Sequence, residues 1–238
     1  MIVTPAGNEL LVVTQSDHAH LAAELLALFR LPELIDHPRR RVLIRAVREH
    51  DNGWRELDAA PPLDADSGWP SNFRSLPGEQ RREVWSRGCR RYAASDPYLA
   101  LLVTLHAQAL HREPAGGDAI WRDWLEELEG WRGELVAAAA ASPTAAASDY
   151  AWLALADTCS LAACEMSGRS FTAGGVRGRA AGGTLTLEPF PLAGRTTFRL
   201  PIRRIPMRRY TTPRELGRAL ADARWERRPL GVAPAGGG

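Results

Sequence analysis

Along the first two thirds of the chain, apolar positions recur at intervals of three and four residues, the spacing of one helical face. His18, Leu21, Ala22 and Leu25 share such a face. A helix over about 17–30 is predicted there, with Ser16 as its N-cap and Pro32 beyond its end. Leu43, Ala46, Val47 and His50 form the next stripe, in a helix from about Pro38 to Asp51 that Gly53 stops. Residues 56–78 are rich in Pro, Asp, Ser and Gly and read as a long structured loop. Further helices are predicted over about 79–93, from Asp96-Pro97 to about 112, and from Gly117-Asp118 to about 140. Ser142-Pro143 breaks the chain, and Ser148 caps a helix over about 149–166. Residues 10–14 read as a short strand or an extended lead-in.

After Gly168 the period changes. Gly174-Gly175 and Gly182-Gly183 flank a stretch read as flexible, while Thr184–Leu187 and Thr196–Leu200 alternate as strands do. Thr212-Pro213-Arg214-Glu215 is a capping box that starts a helix to about Glu226. The tail Pro229–Gly238 reads as frayed. The expected fold class is therefore mainly α: a helical domain over 1–167, with a small basic β-rich extension over 168–238 that carries one helix and packs on it.

Composition adds limits. The 238 residues suit one domain of ordinary size, and a hydrophobic share of 45% supplies a sizeable core. No apolar run is long enough to cross a membrane, and the N-terminal residues lack the basic and apolar regions of a signal peptide. Cys89, Cys159 and Cys164 have neither disulfide-framework nor metal-knuckle spacing, so a reduced cytoplasm is expected, with the thiols as core residues.

The net charge of +2 conceals a division. Residues 1–167 hold 16 Arg against 24 Asp and Glu, residues 168–238 hold 14 Arg against 4, and the chain has no lysine. All six histidines lie in the acidic part. The arginines of 195–209 are expected to lie against the acidic region of the same chain or of a symmetry mate, which would make a homodimer, rather than to bind nucleic acid. Pro201 and Pro206 argue for edge strands there.

Helical phase then sorts the histidines. His18 and His50 follow apolar stripes, and Asp51 leans inward on an adjacent one. His106 shares a stripe with Leu99, Leu102, Val103 and Leu110. His20, His37 and His111 are expected at the surface. The helix around Asp157 is apolar nearly all round, which marks it as buried. A carboxylate there needs a partner or a metal, and no arginine lies one turn away. Imidazole and carboxylate together suit Mn, Fe, Co, Ni or Zn.

The order His18, His50-Asp51-x-Gly53, His106, Asp157 resembles the H…HD…D signature of HD-domain proteins, which are all-helical metal-binding folds and mostly phosphohydrolases. Over most of its length the chain also resembles a bacterial family known as domain of unknown function 3891. The matching stretches are Gln15–His18, His50–Trp54, Asp96–His106 and Leu155–Leu161. Where an HD subfamily has lysine after the doublet, this chain has Trp54 and Arg55.

The resemblance implies an HD-like helical bundle and a divalent cation held by His18, His50, Asp51 and Asp157, with His106 as a further ligand or a proton-transfer group. A phosphoester in a small, nucleotide-like molecule is the expected substrate, hydrolysed by water activated at the cation, with Asp51 and His106 as the catalytic pair. Arg55 and Arg74 would bind its phosphate, and Trp54, Trp69 or Phe73 would stack on its base or close the pocket. Two other readings differ in class. An HD-fold di-iron oxygenase would need an additional imidazole from His20 or His111. A metal-stabilised ligand-binding or interaction module would have no turnover.

Overall fold

A computed structural model of the chain describes residues 1–112 and 119–236. In chain order the elements are β1 (Ile2–Ala6), β2 (Glu9–Val13), α1 (Gln15–Leu28), α2 (Pro32–Ile35) and α3 (Arg40–Glu49). A 3-10 turn (Asn52–Trp54) leads to α4 (Arg55–Ala59), α5 (Gly78–Arg91), α6 (Pro97–His111), α7 (Ala119–Ala138) and α8 (Pro143–Glu165). Then come β3 (Ser170–Ala173), β4 (Val176–Ala181), β5 (Thr184–Glu188), β6 (Thr196–Pro206), α9 (Pro213–Asp222) and β7 (Trp225–Pro234). The expected helix start at Gly117-Asp118 lies outside the described residues, as do Gly237 and Gly238.

The mainly-α expectation is overturned, and with it the HD-like helical bundle. All seven strands join one curled, mixed sheet in the order β1-β2-β6-β7-β5-β4-β3. Its neighbours are antiparallel except β5 and β7, which run parallel. Two of its strands come from the first thirteen residues, where β2 pairs with β6 from Glu9↔Pro206 to Val12↔Arg203. The stretch read as a frayed tail is largely β7, a central strand between β6 and β5.

The prolines mislead in an instructive way. β6 is interior, so the edge-strand reading of Pro201 and Pro206 fails. Pro201 lies where β6 meets only β7, and Pro206 where it meets only β2. Each therefore sits on a stretch with a neighbour on one side, and the missing N–H costs no second ladder bond. The stretch between the glycine pairs is not flexible either: it is β4. Gly174-Gly175 and Gly182-Gly183 are two-residue hairpin turns, and all four glycines have positive φ, between 52° and 80°.

Helix caps explain the shifted boundaries. Thr14, not Ser16, caps α1 by accepting from Asp17 N at 2.9 Å. Ser142 caps α8, so Pro143 is a first-turn residue rather than a break, and Ser148 lies inside the helix. The Thr212 box starts α9 as expected, with Glu215 N at 3.1 Å from Thr212 Oγ1, but the helix ends at Asp222.

One buried apolar cluster spans helices and sheet, joining Leu25, Leu101, Leu102 and Ala156 to Leu185, Leu187, Ile202 and Leu230. Helix α8 packs on α1, α3 and α6 and also on β1, β3, β4 and β5, which accounts for its nearly continuous apolar surface. From β7, Arg228 Nη2 lies 3.3 Å from Ala163 O, at the carbonyl end of α8. The three cysteines are buried, as expected; burial pushes the Cys89 and Cys159 thiols up to about 12.

Candidate metal centre

Four helical segments bring the five candidate ligands to one point. α1 carries His18, the end of α3 carries His50-Asp51, α6 carries His106 and α8 carries Asp157. Each segment is held locally. Asp58 Oδ2 accepts from Gln15 N at 2.7 Å, which fixes the first turn of α1. Asp96 accepts from Leu99 N at 3.1 Å and starts α6. The turn after His50-Asp51 is clamped by α5: Asn52 Nδ2 donates to Gly88 O at 3.2 Å, Arg91 to Asn52 O at 2.8 Å, and Arg87 to Gly53 O at 2.7 Å.

One ligand atom each from His18, His50 and Asp157 lies within 4.8 Å of the other two. Asp157 Oδ1 is 2.9 Å from His18 Nε2 and 3.2 Å from His50 Nε2. Asp51 Oδ2 stands 3.7 and 3.5 Å from the same two nitrogens. His106 Nε2 is 3.8 Å from Asp157 Oδ2. Among the described residues Asp157 pairs with imidazoles and with no arginine. It is the most open of the five, with 14% of its side chain exposed, whereas the other four expose 5% or less. Solvent therefore reaches the cluster on the Asp157 side.

The far nitrogens decide the tautomers. Ser160 Oγ donates to Asp157 O at 3.0 Å, so its oxygen accepts from His18 Nδ1 at 2.9 Å. His50 Nδ1 donates to Val47 O at 2.6 Å. Both histidines thus aim Nε2 at two carboxylates, which only accept, so Nε2 either carries a proton, as in the 2.9 Å hydrogen bond from His18 to Asp157 Oδ1, or gives its lone pair to a metal ion. His50 Nε2 is buried with no hydrogen-bond partner, and its 3.2 Å approach to Asp157 is off the hydrogen-bond direction. Lone pairs facing carboxylate oxygens repel unless a positive charge, a proton or a metal ion, lies between them.

Titration follows the same logic. Burial pulls His50 down, but the Asp51 charge and the Asp157 contact outweigh it and raise the group to about 9. Burial alone would raise Asp157; its contacts with His18 and His50 hold it well below the usual carboxylate range. Asp51 is raised by burial, and His106 is pushed down to about 3, also by burial.

The expected substrate-binding residues do not join this cluster. Arg55 is committed to Glu49 Oε2 at 2.5 Å. Arg74 binds Glu165 at 2.8 Å and stacks over the Phe73 ring. Trp54 is buried against Phe73 and Trp85, and Trp69 packs in a separate apolar cluster. His111, expected at the surface, is buried: it stacks on Trp121 at 4.6 Å and lies beyond Trp85 from His106. His20 stays on a groove with Arg41, Arg45 and Arg48. His37 is only 15% exposed and meets Asp149 Oδ1 at 2.9 Å.

Sequence reasoning missed Ser160, whose place three residues after Asp157 in an otherwise apolar run was the available signal. It also missed Asp149, a buried carboxylate shared by His37, Arg39 and the Tyr98 hydroxyl.

Among the described residues no helix is long and apolar enough to cross a membrane. No curated protein and no solved structure matches the chain. The pattern of a family described as protein of unknown function (DUF3891) matches residues 1–207.

Proposed function

The chain belongs to the family of proteins of unknown function DUF3891, and from the geometry above we propose that it is a metal-dependent phosphohydrolase. The observation that carries this reading is the convergence of the His18 and His50 Nε2 atoms on Asp157, with each Nδ1 occupied by an acceptor. That donor set of imidazole nitrogen and carboxylate oxygen fits Mn, Fe, Co, Ni or Zn. The order of the ligands along the chain, in the H…HD…D manner, supports the same reading.

His18, His50 and Asp157 would hold the ion, with Asp51 beside them. A divalent cation there supplies an acidified water and polarises a phosphoryl oxygen. Asp51 and Asp157 would balance its two positive charges. Ser160 and the Val47 carbonyl keep the imidazoles in the ligating tautomer. His106, which burial keeps neutral beside Asp157 Oδ2, would serve as a further ligand. A small phosphorylated molecule would approach from the Asp157 side.

The test is metal analysis of protein purified without added metal, followed by phosphatase and phosphodiesterase screens with Mn, Fe, Co, Ni and Zn. Bound metal and metal-dependent turnover are expected. Protein that neither carries nor responds to any of these ions would refute the reading. The oxygenase reading gains nothing from the geometry, because His111 lies beyond Trp85 and His20 on an outer groove.

A further inference from the structure

We propose that a second pocket, beyond Trp85 from the histidine cluster, binds a small planar anion: an aromatic ring bearing one carboxylate or phosphate group. Its volume is about 240 Å³, and its walls include Trp54, Phe73, Trp85, Arg74, Arg81 and His111. The rings are set nearly at right angles, with Trp54 6.3 Å from Trp85 and 6.4 Å from Phe73. These rings pack edge-to-face on one another and form an aromatic wall against which a flat group can lie.

The polar lining is one-sided. Among the described residues two guanidinium groups line the pocket and no carboxylate does. Trp54 is 2% exposed, and its indole N–H has no acceptor among the described residues. Arg81 Nε is buried with none either, while the guanidinium lies over the Trp121 ring at 5.5 Å. A buried donor left without an acceptor costs about 1–3 kcal/mol. Both atoms are closed off from solvent, so the attraction for an anion comes from the Arg74 and Arg81 guanidinium groups that line the pocket. Arg74 adds a cation at the rim, oriented by Glu165 on one side and Phe73 on the other. His111 donates Nδ1–H to Ala107 O at 2.7 Å, so it leaves one ring nitrogen as an acceptor.

The site is separate from the metal centre. The Trp85 ring stands between them, 5.6 Å from His106 and 5.8 Å from His111. The inference therefore does not rest on the phosphohydrolase reading.

The experiment is a calorimetric titration of the full chain with benzoate, phenyl phosphate, inorganic phosphate and benzamide, with and without a chelator. Benzoate or phenyl phosphate should bind saturably, with chelator making no difference, and the tighter of the two identifies the anion. Benzamide and inorganic phosphate should bind at least tenfold more weakly, since each lacks the charge or the ring. Arg81→Gln should weaken the aromatic anion at least tenfold, Arg81→Lys should retain part of the affinity, and Arg55→Gln should change nothing. Absence of saturable binding would overturn the proposal. So would equal affinity for benzamide, or loss of binding in Asp157→Asn with none in Arg81→Gln. Far-UV circular dichroism of each variant reports folding. A metal-free protein would still give a readable titration here, so the two readings fail separately.

Discussion

Gly53 follows the His50-Asp51 doublet, and its value lies in what cannot be added to it. A methyl group there would stand 2.1 Å from Val84 O and 3.0 Å from Gly88 N, wedged into the i→i+4 pair of α5. Ordinary carbon–oxygen approach is about 3.3 Å or more, so Gly53→Ala demands a backbone shift of roughly 1 Å. A close-packed interior yields to overpacking at a cost of about 1–3 kcal/mol. The obstacle here is backbone rather than a flexible side chain, which places the cost near about 3 kcal/mol. The loss of glycine's freedom in the unfolded chain returns roughly 0.4–1 kcal/mol. A net loss of about 2–3 kcal/mol is expected, equivalent to a fall in Tm of roughly 5–10 °C at this chain length. Moving α5 also slackens the Asn52, Arg87 and Arg91 clamps, so metal uptake should fall with stability. Gly130→Ala is the matched control: Gly130 is exposed in α7 with nothing within 4 Å, and alanine should gain about 0.5–1 kcal/mol. Urea titration and metal analysis of both variants decide the matter. A Gly53→Ala protein within about 0.5 kcal/mol of the parent, with full metal uptake, would refute the steric argument.

Three further outcomes are expected. Ser160→Ala frees His18 Nδ1 and should weaken metal binding roughly 10- to 100-fold with little loss of fold, as read by competition with a chromophoric chelator. Metal affinity should fall as pH is lowered, because protons compete for the imidazoles; isothermal titration in buffers of different ionisation heat would show proton release on binding. Asp149→Ala leaves Tyr98, His37 and Arg39 without their shared carboxylate, and urea unfolding should show a loss on the order of 2–3 kcal/mol, below that of a fully buried pair because Arg39 is 39% exposed.

Local periodicity carried the ligand set. The i, i+3, i+4 spacing around His18, His50, Asp51, His106 and Asp157 gave their inward phase, and the helices that hold them formed close to the expected bounds, except that α8 starts a turn and a half earlier, at Pro143. That succeeds because helix geometry is decided between residues one turn apart. The same reasoning misjudged His111, for phase tells which side of a helix a residue faces and not what covers that side. Here Trp121 and Trp124 of α7 cover it.

By itself the sequence determined the long helices, though not the short α2 and α4, together with the capping box of α9 and five ligand-type side chains on inward faces. Only the tertiary structure decided that the β1–β2 hairpin joins the sheet through the pairing of β2 with β6, and that Trp225–Pro234 is a central strand. Strand pairing is settled between residues up to two hundred positions apart, as Glu9↔Pro206 shows, so a segment with Pro229, Gly231 and Pro234 reads locally as a tail. The candidate site divides in the same way: which residues face inward is local chemistry, whereas the 2.9 and 3.2 Å approaches to Asp157 exist only because α1, α3 and α8 pack together.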